Sequence, residues 1–162
     1  MTMPEPMLLR TIVLWIHALA GAAWVAASIC FVIAGLALAA GSDEQRNFAQ
    51  GAALKIVLFN LMAAILVLLS GVANFLIVGT PRDFEFSPAF WRTLAIKVVL
   101  FFAMFAVVRA ALRRAMRLRY DADPSAPLNA FSDRISGMVR LHAAVAVMGA
   151  IALLLGVWLM GA

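Results

Sequence analysis

The chain alternates between long apolar runs and short polar breaks. The apolar runs cover residues 8–40, 50–79, 89–112 and 135–162. Each run reaches or exceeds the roughly 20 residues that an α-helix needs to cross a bilayer. A backbone inside lipid must satisfy its own hydrogen bonds, and a helix does so within each run. The pattern predicts an all-α fold, an integral membrane bundle of four transmembrane helices that forms one domain over residues 1–162.

The polar breaks predict where the helices end. The first break covers residues 41–47 and the second covers 80–88, ending in Pro88, a residue that suits the first position of a helix. The longest break covers residues 113–133. Composition agrees with a membrane protein, because 65% of the 162 residues are hydrophobic and 13% are charged. The single cysteine, Cys30, excludes a disulfide within the chain.

Basic residues predict the orientation. With four spans, the breaks after the first and third runs lie on one side of the membrane. Most basic residues lie in or beside these breaks: Arg46, Lys55, Arg109, Arg113, Arg114, Arg117, Arg119, Arg134 and Arg140. The positive-inside rule places this side in the cytoplasm, so both ends of the chain are expected in the periplasm of a bacterial inner membrane. Because these residues account for the net charge of +5, we expect no nucleic-acid partner.

One polar layer is expected near the outer surface. His17 lies within residues 11–40, a stretch without charged residues. Ionisable groups inside membrane spans are costly and usually mark functional sites. Counting about 1.5 Å per residue from the outer helix ends places His17, Asn74 and Lys97 at a similar depth. We expect these three side chains to meet in one site that faces the inside of the bundle.

The second histidine is expected at a different depth. His142 lies near the cytoplasmic start of the fourth helix, where it is interpreted as an interfacial residue or as a metal ligand. Met138 lies one turn earlier on the same face, and a thioether with an imidazole suits Cu(I). Because His17 and His142 differ in depth, one haem ligated by both is not expected. Asn60, Ser70 and Asn74 are expected to make hydrogen bonds between helices.

Three short motifs resemble one group of membrane proteins. They are His17 followed by six residues and Trp24, the segment 70–76, and the segment 90–97, which contains Arg92 and Lys97. These motifs are similar to those of CopD-type copper resistance membrane proteins and of the related HemJ-type protoporphyrinogen oxidases. The resemblance implies a four-helix protein that handles copper within or across the membrane. It implies His17 as a metal or haem ligand, with Trp24, Arg92 and Lys97 in supporting positions.

Two other functions remain open. In the first, the protein binds haem b for electron transfer or a HemJ-like oxidation, with His17 as axial ligand, Trp24 near the macrocycle and Lys97 at a propionate. In the second, it is a non-catalytic membrane subunit whose polar residues only pack helices. Copper is placed first because segment 90–97 resembles the CopD motif more closely. Enzymatic activity stays open, and the expected partners are the lipid bilayer and a second copy or another membrane or periplasmic subunit.

Overall fold

Four long helices make up almost all of the described structure. The computed structural model describes residues 5–38, 43–120 and 128–161. The helices are α1 (Glu5–Leu38), α2 (Asp43–Gly79), α3 (Pro88–Tyr120) and α4 (Leu128–Gly161). A single 3₁₀ turn, Thr80–Arg82, follows α2 directly. The predicted all-α bundle of four helices is confirmed.

Each helix contains a segment that is long and apolar enough to cross a membrane. These segments are Met7–Leu36, Gly51–Arg82, Pro88–Arg117 and Ser132–Val157. Large apolar side chains on every helix point away from the bundle: examples are Leu19, Leu69, Val99 and Leu154. Exposure of so large an apolar surface to water would be unfavourable, whereas contact of the same surface with lipid chains is favourable. The protein is therefore an integral membrane protein whose surroundings are a lipid bilayer.

Two of the expected breaks are shorter than the sequence suggested. α2 begins at Asp43, inside the expected first break, while residues 39–42 lie outside the described residues. Likewise α3 continues to Tyr120 and α4 begins at Leu128, so most of the expected break at 113–133 is helical. Arginine and glutamate are good helix formers, so leaving the apolar run does not end a helix.

The turn between α2 and α3 lies where the sequence predicts it. Ser87 caps α3, because its Oγ accepts a hydrogen bond of 3.2 Å from the backbone N–H of Phe90. Pro88 occupies the first helical position, where its missing N–H costs nothing. Asp83 and Phe84 have left-handed backbone angles, with φ of 48° and 59°, and reverse the chain between the two helices.

The helices form a ring of antiparallel neighbours. α1 packs against α2 and α4, and α3 packs against the same two helices from the other side. Two glycines set the distance between α1 and α4, since a Cβ on Gly35 would collide with Val139 and a Cβ on Gly149 would collide with Val25. Small residues at such crossings let membrane helices approach closely. These pairs fix the register of α1 against α4, and with it the depth of each side chain.

Candidate functional site

An outer polar layer begins with His17 of α1, whose ring contacts α2. The His17 Nδ1 lies 3.1 Å from the carbonyl oxygen of Val67 and 3.1 Å from the hydroxyl oxygen of Ser70. Ser70 donates its own hydrogen to the carbonyl oxygen of Leu66, so its oxygen acts as an acceptor toward His17. Because both partners of Nδ1 are acceptors, Nδ1 carries the proton and Nε2 keeps a free lone pair. Gly71 gives the ring room, since a Cβ there would lie 3.1 Å from His17 Cε1.

Lys97 of α3 belongs to the same layer. Its Nζ lies 3.2 Å from the position that a Cβ on Gly156 of α4 would take, so the side chain is directed toward α4. Lys97 and His17 are close enough to interact electrostatically. Asn74 is half-buried one turn beyond Ser70, and within the described ranges it makes no hydrogen bond to His17 or Lys97. The structure therefore packs the His17 ring against α2 and directs Lys97 toward α4, and among the described residues no direct hydrogen bond joins the three predicted side chains.

Arg92 lies apart from this layer. Its side chain is exposed, and its Nε donates a hydrogen bond of 3.4 Å to the carbonyl oxygen of Pro88 on its own helix. Nearby Trp91 is also exposed, at 44%, and joins a group of aromatic rings that includes Phe75 and Phe86. Aromatic residues at this end of the bundle fit the interface between the bilayer and water. In this structure Arg92 belongs to that surface and not to the polar layer.

An inner polar layer contains His142, which is buried inside the bundle. The expectation of an interfacial side chain is wrong, because His142 is only 1% exposed. Its ring stacks on Phe31 of α1 with centroids 4.1 Å apart. Its Nδ1 lies 3.4 Å from Nδ2 of Asn60, and the same amide nitrogen lies 3.4 Å from Oγ of Ser28. The contact between Asn60 and His142 joins α2 to α4, two helices that are not neighbours in the ring, so this layer lies on the bundle axis.

The hydrogen bonds of the inner layer indicate which nitrogen of the His142 ring carries the proton. Ser28 donates to the carbonyl oxygen of Trp24 at 3.0 Å, so its oxygen accepts one hydrogen from the Asn60 amide. The other amide hydrogen points to His142 Nδ1, which is therefore an acceptor and leaves the ring proton on Nε2. Three buried polar atoms have no partner among the described residues: Trp24 Nε1, Asn60 Oδ1 and His142 Nε2. Such atoms are rare in native proteins, and each one calls for a physical explanation.

Asn60 also decides whether His142 can act as a ligand. The oxygen and nitrogen of an amide are assigned from the surrounding hydrogen bonds, and a half-turn of the side-chain amide exchanges them. With Oδ1 facing His142, the ring would donate from Nδ1 and present an Nε2 lone pair. Metal-binding histidines typically have this arrangement. His142 is thus a ligand only in one of the two orientations of the Asn60 amide.

Two methionines are buried in the core of the bundle. Met138 is fully buried one turn before His142, so the predicted shared face of α4 is confirmed. Side chains on a helix lean toward its N-terminus, and His142 therefore leans toward the turn of Met138. Met104 is also buried and lies between the two polar layers, with its Cε 3.2 Å from the position of a Cβ on Gly149. Within residues 5–38, 43–120 and 128–161 there is no group of three or more His, Cys, Asp or Glu side chains that could hold a metal ion.

The two histidines lie at separate depths. His17 contacts Ser70 and His142 contacts Asn60, and these two positions of α2 are roughly 15 Å apart along the helix at 1.5 Å per residue. A single haem iron binds both axial nitrogens at about 2 Å, a typical distance from a metal to an imidazole nitrogen, so it cannot join these two rings. The structure agrees with the difference in depth that the sequence predicts.

Some residues of the inner layer were not singled out by the sequence. The interhelical hydrogen bonds expected of Asn60 and Ser70 are confirmed, whereas none is found for Asn74 among the described residues. Ser28 and Phe31 were not predicted to take part. A usable signal for Ser28 was its position one turn after Trp24, which places both on one face of α1. Phe31 gave no such signal, because phenylalanine in an apolar run is usually a packing residue.

The fold and these layers define a class, a four-helix integral membrane protein with one histidine in each of two polar layers. Comparison with models of known protein families, with curated proteins and with solved structures finds no match for the chain. The resemblance to CopD-type proteins therefore stays a prediction that rests on the short motifs quoted above.

Proposed function

We propose that this protein handles Cu(I) within or across the membrane, as the resemblance to CopD-type proteins implies. The observation that carries the proposal is the pair of hydrogen-bond acceptors, the Val67 carbonyl oxygen and the Ser70 hydroxyl oxygen, that face Nδ1 of His17. Its Nδ1 proton is held by the carbonyl oxygen of Val67, and this leaves the Nε2 lone pair ready to bind a metal. Donation of the other ring proton to a backbone carbonyl is typical of metal-binding histidines.

The remaining donors favour a soft ion. Imidazole and thioether ligands suit Cu(I), whereas magnesium, calcium and manganese prefer carboxylates. Met104, Met138 and His142 supply such soft donors in the buried interior below His17. A few ligands spread along a path allow an ion to bind and to leave again.

The charge of the outer layer also favours a monovalent ion. Lys97 and His17 are close enough to interact electrostatically, so the ammonium group would repel a cation bound at His17. At equal distance this repulsion is half as large for Cu(I) as for a divalent ion. Lys97 therefore opposes a divalent ion at His17 more strongly than it opposes Cu(I).

For the orientation, we propose that the arginine-rich end faces the cytoplasm of a bacterium and that both ends of the chain face the periplasm. Exposed arginines at the end of α3 and the start of α4 support this proposal: Arg109, Arg113, Arg114, Arg117, Arg134 and Arg140. His17 would then be the periplasmic ligand, and His142 with Met138 the cytoplasmic one.

Haem b is the second candidate, and the same outer layer favours it. The free Nε2 of His17 suits an axial ligand, and Lys97 would pair with a propionate. When bound, haem would supply one-electron chemistry. The inner layer does not fit this group, because Phe31 covers one face of the His142 ring and Asn60 occupies its Nδ1.

The test measures Cu(I) per protein and the visible spectrum of the detergent-purified full chain. We expect His17→Ala to weaken Cu(I) binding by at least about tenfold, as measured by competition with a coloured chelator. Loss of a residue that hydrogen-bonds to a metal ligand typically weakens metal binding by about 10–100-fold, and loss of the ligand itself should weaken it at least as much. We expect a smaller effect from His142→Ala, because His142 first needs the Asn60 amide to turn. Met138→Leu should weaken binding too, while the matched control Met62→Leu, at a residue 65% exposed, should not.

The other outcomes separate the candidates. A Soret band in the unaltered protein that disappears in His17→Ala would show that the protein binds haem b and would contradict the copper proposal. A colourless protein that binds no Cu(I) would favour the remaining hypothesis, a non-catalytic membrane subunit whose polar residues only pack helices. Loss of Cu(I) binding in His142→Ala alone would move the principal site to the inner layer and contradict the role proposed for His17.

A further inference from the structure

We propose that a cleft at the arginine-rich end, between α3 and α4, binds the phosphate of an anionic phospholipid. The cleft has a volume of about 630 Å³. Its lining residues are Arg114, Arg117, Asp133, Arg134, Gly137, Arg140 and Leu141. Four guanidinium groups facing one carboxylate give the cleft a positive charge, and arginine binds phosphate oxygens through paired N–H groups.

One arginine is fixed in place between the two helices. Nη1 of Arg114 donates a hydrogen bond of 2.9 Å to the carbonyl oxygen of Gly137. The approach is close, because a Cβ on Gly137 would lie 3.0 Å from the same nitrogen. A guanidinium group has five N–H donors, so this single bond leaves others for a ligand. Arg114 is thus held at the cleft with donors still available.

The depth of the cleft favours a lipid over a soluble phosphate. Arg114 and Arg117 lie at the end of the span Pro88–Arg117, and Arg140 and Leu141 lie inside the span Ser132–Val157. The cleft therefore begins where a helix leaves the hydrocarbon and meets the headgroups. Basic pockets between transmembrane helices at this level bind anionic headgroups. Leu141 adds an apolar contact for the part of a lipid that lies below its phosphate.

The cleft is independent of the proposed copper function. It shares no residue with the layer around His17 or with the group formed by Trp24, Ser28, Asn60 and His142. Lipid binding is therefore testable in protein that holds no metal, and its outcome does not depend on copper.

The experiment titrates the detergent-purified full chain with phosphatidylglycerol, phosphatidylcholine or inorganic phosphate and follows bound lipid by native mass spectrometry. The test variant is Arg117→Gln/Arg134→Gln, which keeps Arg114 in place. The matched control is Arg109→Gln/Arg113→Gln, which removes the same charge from two exposed positions outside the cleft. Each basic residue near an anionic headgroup contributes about 1 kcal/mol to the binding free energy. Loss of two arginines should therefore weaken phosphatidylglycerol binding roughly thirty-fold in the test variant, whereas the control should weaken it less than about threefold.

Salt provides a second measurement that needs no variant. Raising the ionic strength from 0.1 M to 1 M shortens the screening length from about 10 Å to about 3 Å and should weaken phosphatidylglycerol binding to the unaltered chain. Equal weakening by both double variants would overturn the cleft as a specific site. Equal binding of phosphatidylcholine would overturn the requirement for a negative charge. Binding of inorganic phosphate as tight as that of phosphatidylglycerol would assign the cleft to a soluble phosphate.

Discussion

The crossing of α1 and α4 at Gly149 makes a quantitative prediction about stability. Substituting Gly149→Ala adds a Cβ that would collide with Cγ2 of Val25 and lie 3.2 Å from Cε of Met104. Methionine can move away, because its side chain is flexible. Valine cannot, because a β-branched side chain in a helix has one strongly preferred rotamer. The two helices must therefore separate.

The magnitude follows from two opposing effects. Overpacking of a close-packed interior costs about 1–3 kcal/mol. Replacing glycine by alanine inside a helix recovers about 0.5–1 kcal/mol through backbone entropy. We therefore expect Gly149→Ala to lower the free energy of unfolding by up to about 2.5 kcal/mol. The matched control is Gly51→Ala, because a Cβ on Gly51 meets nothing within 4 Å. This control should gain up to about 1 kcal/mol, since only the entropy effect remains.

The assay is reversible unfolding in mixed micelles with a rising fraction of denaturing detergent, followed by tryptophan fluorescence. Trp24 is a suitable probe because it is 1% exposed and precedes Val25 in the sequence. A double-mutant cycle with Val25→Ala identifies the cause, since removing the valine methyl groups should relieve the collision. We expect a coupling of at least about 1 kcal/mol, within the range for residues in contact. Equal stability of the Gly149 and Gly51 variants, or no coupling with Val25, would show that the crossing is not tight.

Two further predictions address the inner layer and the orientation. Asn60→Leu should destabilise the protein by about 1–2 kcal/mol, because it removes hydrogen bonds to Ser28 and His142 that are worth up to about 1.7 kcal/mol each in membranes. The control Asn74→Leu should change stability by less than about 0.5 kcal/mol, and an equal effect would contradict the network. A cysteine at Ser125, outside the described residues, should resist an impermeant thiol reagent in intact cells; ready labelling would reverse the proposed orientation.

The sequence was sufficient to predict depth. Spans of known length and a rise of about 1.5 Å per residue determine how far each side chain lies from a helix end. This argument placed His17 and Lys97 in one layer near the outer surface. It also separated His17 from His142, which agrees with their contacts at Ser70 and Asn60 of α2. Depth was predictable because it depends only on counting residues in antiparallel helices.

Rotation about the helix axis was not predictable in the same way. A helix in lipid is apolar on all sides, so its pattern does not show which face is turned inward. His142 follows the exposed Arg140 by two positions, and this neighbour suggested an interfacial side chain. Two positions correspond to about 200° around a helix of 3.6 residues per turn, which is why one side chain is exposed and the other buried. Only the packing of α4 against Phe31 and Asn60 reveals the inward face.

The two histidines differ in a way that bears on the proposed copper function. The acceptors beside Nδ1 of His17 favour a ring proton on Nδ1, so its Nε2 carries the lone pair that an ion would need. His142 accepts a hydrogen bond from Asn60 at Nδ1, so its Nε2 is protonated until the amide turns. That turn also takes an N–H donor away from Ser28 and thereby changes the contacts of α1. On the proposed function, an ion at His142 would therefore require a rearrangement of groups on three helices, whereas an ion at His17 would require no such amide turn. On the proposed function, Asn60 would decide how readily an ion leaves the outer layer for the inner one.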